Sequence, residues 1–138
     1  IKQKASALLK GSTYLRGERD EHDRTSNFAH SSLRSVCLQA FYDGGSKSLR
    51  QFPEFRNTIP RKALLLVATI VRNVLHVYSM YGHVNTKQTA LGDSEKVYRK
   101  LTHMLKQVAD DEYHSEKLDE ALRSWAMAGM YVFLFSLN

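Results

Sequence analysis

The run PRKALLLVATIVRNVLHVYSMYG, residues 60–82, decides the fold of this 138-residue chain. Leu64, Leu65, Leu66, Val67, Ile70, Val71, Val74, Leu75, Val77 and Tyr78 wrap most of a helical cylinder. Its β-branched residues also suit a strand, but about twenty residues is far beyond ordinary strand length. The spacing therefore predicts a central helix covered on several sides. Pro60 suits its first helical position, with Thr58 nearby as a cap, and Gly82 ends it.

Before this helix, residues 46–59 place Ser, Pro53 and Asn57 between Leu49, Phe52, Phe55 and Ile59. That mixture predicts an irregular or single-turn connection whose aromatics tuck under the core. Further upstream, Leu33, Val36, Cys37, Ala40 and Phe41 recur at the spacing of one buried helical face. His30, Ser31 or Ser32 caps that helix, and Gly44-Gly45 stops it. Ile1, Ala5, Leu8 and Leu9 suit one side of a short leading helix. The mixed-charge run Arg16–Arg24 lacks apolar periodicity and reads as a solvated linker.

After Gly82, residues 83–92 are polar and read as a loop. Asp93 or Ser94 caps a helix striped by Val97, Leu101, Met104, Leu105 and Val108. Asp110-Asp111-Glu112 interrupts the pattern. Ser115 then opens a last helix with Leu118, Ala121, Leu122 and Trp125, continuing through Tyr131, Phe133 and Leu134. Trp125 shares a face with Leu118, Ala121 and Leu122 and is expected in the core, against Val71, Leu75 or Tyr78. The expected architecture is an all-α compact bundle of four main helices plus an N-terminal helical segment. Its expected division is a segment and linker over 1–26 and a helical domain over 27–138.

Several phrases follow one another in order along the chain: Phe28-Ala-His-Ser-Ser-Leu-Arg34, Phe41-Tyr42, Leu49-Arg-Gln-Phe-Pro53 and Ile59-Pro60. Val97-Tyr98, Tyr113-His-Ser-Glu-Lys-Leu118 and Trp125-Ala126 follow. This order resembles an uncharacterised domain family abundant in mushroom-forming fungi, over about residues 27–128. The resemblance implies a compact helical domain of a fungal, intracellular protein and brings no catalytic residues. Ser31 stands where such domains often carry a proline, and the tail 127–138 is more apolar than the family pattern.

Composition narrows the function classes. Apolar residues make up 43% and charged residues 25%, which argues against a disordered or collagen-like chain. The net charge is +6 and is unevenly spread. Residues 1–92 hold fourteen basic and six acidic side chains, whereas residues 93–138 hold six basic and eight acidic. Such asymmetry suits a polyanion, an acidic partner or head-to-tail self-association. The single cysteine, Cys37, cannot form an internal disulfide and falls in an apolar stripe, so it reads as a small buried hydrophobe. No membrane span is expected: the most apolar run, Met127–Leu137, falls short of the roughly 18–20 residues a span needs.

Candidate chemistry follows from what is present. The histidine pairs His76/His83 and His103/His114 form no HExxH, HxH or Cys/His arrangement, so no metal or cofactor is expected. There is no GxSxG elbow, and Gly44-Gly45-Ser46-Lys47 lacks the phosphate-loop pattern and follows a helix. No catalytic residue is therefore nominated, and the domain reads as a non-enzyme.

Two surfaces remain. Lys47, Arg50, Arg56, Arg61 and Lys62 fall within sixteen residues, opposed by Glu54 alone. Arg61 and Lys62 sit at a helix start, where positive charge opposes the dipole, which hints at an anion there. Phe52 and Phe55 interleave with these charges and suit base stacking, although inward packing suits them better. The second surface is the tail: Met130, Tyr131, Phe133, Leu134, Phe135 and Leu137, with Met127 and Val132, leave no polar side to the helix. One helix end cannot hide every face within a small domain, unless Ile1–Leu9 covers it. The first expectation is a protein-interaction or self-association domain working through this tail. The alternative is a nucleic-acid-binding module built on the Lys47–Lys62 patch, with the nucleus as its setting.

Overall fold

The computed structural model describes residues 1–17, 27–45, 48–83 and 94–136, with side chains described as far as Tyr131. It contains five α-helices and, among the described residues, no strand. The central helix forms as the sequence predicts. Helix α3, Arg61–Tyr81, buries Leu64, Leu65, Val67, Ala68, Thr69 and Val77. Its other neighbours are α1 (Lys2–Leu9), which lies along it, α2 (Ser31–Cys37) and α4 (Ser94–Asp110). The fifth, α5 (Glu112–Ser136), packs against α4 and against the turn that follows α2.

At helix ends three details differ from the sequence reading and two follow it. Pro60 lies one place outside α3, with ψ 140°, and its carbonyl accepts the first helical hydrogen bond from Leu64 N–H at 3.1 Å. No side chain caps that end. Helix α5 starts at Glu112 rather than Ser115, because the Asp111 carboxylate accepts from His114 N–H at 3.0 Å and serves as the cap. At the start of α2, His30 Nδ1 takes the Ser32 amide at 3.0 Å, the only one of three candidates to do so. Gly82 closes α3 in the left-handed region, φ 75°, as expected of a helix-ending glycine.

The turn after α2 holds the main surprise. Leu38–Tyr42 is a single π-helical turn, which adds a residue to the circuit and moves every later side chain round the axis. Phe41 and Tyr42 are both buried as a result, and Ala40, expected inside, is exposed. Phe55 then stacks on this pair, 5.2 Å from the Phe41 ring and 6.4 Å from that of Tyr42. The Tyr42 hydroxyl donates to the Phe55 carbonyl at 2.6 Å. The connection before α3 thus consists of two single 3₁₀ turns, Leu49–Gln51 and Pro53–Phe55, tied to the core by one aromatic. Phe52, expected to tuck inward, is 46% exposed.

The N-terminal segment is part of the same core. Tyr14 and Leu15, in a 3₁₀ stretch over Lys10–Leu15, join Phe28, Leu33 and Leu101 in the main cluster. The Leu15 carbonyl accepts from Ala29 N–H at 2.9 Å, so the chain on either side of residues 18–26 runs together. Gly17 permits that approach, since a β-carbon there would stand 2.9 Å from the Ala29 carbonyl oxygen. The charged run itself, residues 18–26, and the polar loop 84–93 lie outside the described residues.

Trp125 is 5% exposed, as expected. Its helix, however, approaches the Leu38–Tyr42 turn and α4 more closely than α3. Gly129 explains the first approach: its α-carbon faces the Tyr42 ring, and a β-carbon would overlap the ring carbons. Ile1–Leu9 lies along α3, and the side chains of the α5 end from Val132 onward lie outside the described residues. The sequence reading also missed that α3 is long and apolar enough, with mean hydropathy 1.6, to meet the length and composition of a membrane span. A core helix meets the same criterion, and here Leu64 and Ala68 are fully buried by protein.

Candidate functional site

The basic stretch before α3 separates into side chains with internal work. Arg50 donates from Nη1 to the Tyr42 carbonyl at 2.9 Å and from Nη2 to the Gly45 carbonyl at 3.4 Å. The Tyr42 carbonyl ends the π turn, so the guanidinium closes that helix end, while the Gly45 carbonyl also accepts from Ser48 N–H at 3.1 Å. Arg56 folds back on the Gln51 carbonyl at 3.1 Å. Arg61 crosses to α5, meeting the Asp119 carboxylate at 2.8 Å and the Ser115 hydroxyl at 3.3 Å. Arg61 at the start of α3 thus has an anion of the chain's own in Asp119. Lys62 is exposed, and Lys47 lies outside the described residues.

The apolar tail is described in part. Leu118, Leu122, Trp125 and Ala126 form the buried side of α5. Met127 and Tyr131, four residues apart, point the other way and are 72% and 59% exposed. Met130 lies between, half-buried against the core. The side chains of Phe133, Leu134 and Phe135, and all of Leu137, lie outside the described residues. On α3, Leu66 and Ile70 form a second exposed apolar pair at the same spacing.

A cleft that the sequence reading did not single out lies where the N-terminal stretch meets α3 and α4. It encloses about 410 Å³. Arg72 from α3 and Lys96 and Lys100 from α4 line it together with the hydroxyl-bearing Ser12 and Tyr14. Among the described residues, no acidic residue lines it. Its apolar wall includes Leu9, Leu101 and Met104. Among the described residues none of the three cations has a carboxylate partner, whereas Arg61, Arg99 and Lys117 all do. One signal was available beforehand: Arg72 is the single charged residue between Ala63 and Tyr81.

The local geometry orders these groups. Lys96 and Lys100 stand four apart on α4, one turn above the other, on the flank of the buried stripe of Val97, Leu101 and Leu105, so that Val97 and Leu101 line the same cleft. Gly11 and Ser12 adopt positive φ, 62° and 56°, turning the chain sharply at the cleft edge. Tyr14 follows, 3% exposed. Burial pushes its phenol up to about 12, with Arg72 pulling the other way, so the hydroxyl stays a proton donor at neutral pH.

Other reactive groups are spoken for. Burial pushes the Cys37 thiol up to about 12, leaving it protonated and inaccessible. His114 Nδ1 sits 3.3 Å from the Asn27 amide, linking α5 to the entry of α2. Among the described residues, no three His, Cys, Asp or Glu side chains stand together as a metal site would require.

Comparison with known proteins returns no match among curated proteins and none among solved structures. One family model does match, over residues 1–108, so it takes in the N-terminal segment as well as α2, α3 and nearly all of α4. The resemblance drawn from short phrases began later and reached further, to about residue 128. With the family model running across the N-terminal stretch, both walls of the basic cleft and the core that holds them, the chain belongs to the family DUF6532, a domain of unknown function.

Proposed function

We propose that this domain is a non-enzymatic helical module that self-associates through the outward face of α5. The observation that carries this reading is the Met127–Tyr131 stripe, exposed on the side of α5 opposite Leu118, Leu122 and Trp125. The inner face is already held by the Tyr42 ring under Gly129, so α5 cannot roll to bury both sides. A stripe of this kind is complementary to itself, which suits the two-fold contacts of a homodimer. The preceding turn carries Glu120 and Arg123, one charge of each sign, so two copies meet without net repulsion. The fungal and intracellular setting implied by the resemblance belongs to this reading, and a buried free Cys37 is compatible with a reducing compartment.

Sedimentation of the full chain tests it. A concentration-dependent dimer is expected, and Met127→Glu with Tyr131→Glu should return it to monomer. A clean monomer at high micromolar concentration, unchanged by these substitutions or by Phe133→Glu and Phe135→Glu, overturns the proposal.

The nucleic-acid alternative draws less support, because Arg50 and Arg61 are engaged within the fold. It still predicts binding that falls steeply with salt and weakens alike for all sequences in Arg61→Glu with Lys62→Glu. Fluorescence anisotropy at low salt decides that point, and silence with both duplex and single strands ends it.

A further inference from the structure

The cleft between the N-terminal stretch, α3 and α4 is independent of the α5 face and has its own chemistry. We propose that it binds a small organic phosphate, the phosphate held by Arg72, Lys96 and Lys100 and the apolar body resting on Leu9, Leu101 and Met104.

Three observations converge on this. First, the volume of about 410 Å³ falls within the range of small-molecule sites and is too small for a folded partner. Second, three cations from two helices line one cleft, with no acidic residue among the described residues that line it. Some cations of the chain are paired, Arg99 with Glu95 at 2.6 Å and Arg61 with Asp119 at 2.8 Å, and what sets these three apart is that they share one cleft. Uncompensated positive charge held together costs repulsion, which a dianion reverses into charge-assisted hydrogen bonds. Third, Tyr14 is almost wholly buried, yet its hydroxyl has no hydrogen-bond partner among the described residues. No buried side-chain polar atom is left unsatisfied among them either. The Tyr14 hydroxyl therefore reaches solvent, and the cleft it lines is where it does so. A ligand oxygen is the partner such a donor lacks.

Arg72 supplies the planar, always-charged fork suited to two phosphate oxygens, and the lysines add point charges from α4. Ser12, turned into place by its positive φ, adds a second hydroxyl. The apolar wall distinguishes this cleft from a bare anion site: inorganic phosphate alone leaves Leu9 and Met104 uncovered. Affinity should rise from pH 5 to pH 7, because a phosphate monoester gains its second charge near pH 6.

Calorimetric titration of the full chain with phenyl phosphate, inorganic phosphate and phenol tests the proposal. Phenyl phosphate should saturate a single site, with inorganic phosphate weaker and phenol weaker still. Lys96→Gln with Lys100→Gln, both on the exposed side of α4, should keep the fold by circular dichroism and weaken phenyl phosphate about tenfold or more. Tyr14→Phe keeps the buried ring and should weaken it several-fold. Lys106→Gln, on α4 but away from the cleft, should leave affinity unchanged. Absence of saturable binding overturns the proposal, as does equal affinity in the double lysine variant. A phosphotyrosine peptide that binds more tightly than phenyl phosphate would replace the small molecule with a protein ligand. Dimerisation is read separately by sedimentation, so loss of one property leaves the other measurable.

Discussion

Tyr42 and Gly129 show how much a single pair decides. Alanine in a helix interior normally gains about 0.5–1 kcal/mol over glycine, by restricting the unfolded chain and favouring helix. At residue 129 a methyl group meets the Tyr42 ring, which is itself fixed by its bond to the Phe55 carbonyl. Overpacking of that kind costs about 1–3 kcal/mol, so the net sign reverses. Gly129→Ala should therefore destabilise the domain in urea denaturation, and Tyr42→Ala in the same background should recover part of the helix gain. A stabilised single variant would show that α5 stands further from the π turn than this packing requires.

Titration is the second test at this scale. Burial raises Tyr14, Cys37 and Tyr42 to about 12 from ordinary values of 10, 9 and 10, with Cys37 adding to the shift at Tyr42. The folded state holds these protons more tightly than the unfolded chain does, so unfolding is favoured by their loss. Their contribution is complete below about pH 9 and disappears as pH climbs towards 12. Circular dichroism should thus show an alkaline transition in that window, and tyrosinate absorbance should lag for two of the seven tyrosines.

Between elements, the link from α3 to α5 rests on Arg61 and Asp119. Both side chains are over a third exposed, at 37% and 45%, so water screens the pair. Exposed ion pairs contribute about 0–1 kcal/mol, and Arg61→Ala should lower stability by no more than that. Larger losses in denaturation would mean that Arg61 holds α5 in place. The Leu38–Tyr42 turn is the stronger joint, since it buries two aromatics, collects Phe55 and receives α5. Its last carbonyl, that of Tyr42, takes the Arg50 guanidinium, so Arg50→Ala should cost more than Arg61→Ala in the same measurement.

For the whole molecule, Trp125 is the keystone on the α5 side. Truncating a buried tryptophan typically costs about 3–5 kcal/mol, against roughly 5–15 kcal/mol for a complete domain. Trp125→Ala should lower the melting temperature sharply, and native Trp125 fluorescence should be blue-shifted. A solvent-like emission maximum with stability unchanged in the variant would place Trp125 on the surface. The domain as a whole is held by α3, on which α1, α2 and α4 converge, while α5 closes one side and presents Met127 and Tyr131 outward.

Periodicity in the sequence alone determined the all-α class, the central helix, the stripe Val97–Leu101–Leu105 of α4 and the burial of Trp125. Those follow from local rules: apolar spacing fixes a face, and glycine at positive φ fixes an end. Tertiary structure decided what depends on residues distant in the chain. The π turn reads as ordinary helix in sequence, because Ala40 and Phe41 both suit a buried face until Tyr42 and Phe55 choose between them. Arg61 reads as a free cation until Asp119, fifty-eight residues later, is folded against it. The basic cleft is invisible for the same reason. Ser12, Tyr14, Arg72, Lys96 and Lys100 share no local pattern, and only the packing of α1 and α4 on α3 brings their charges and hydroxyls to one place.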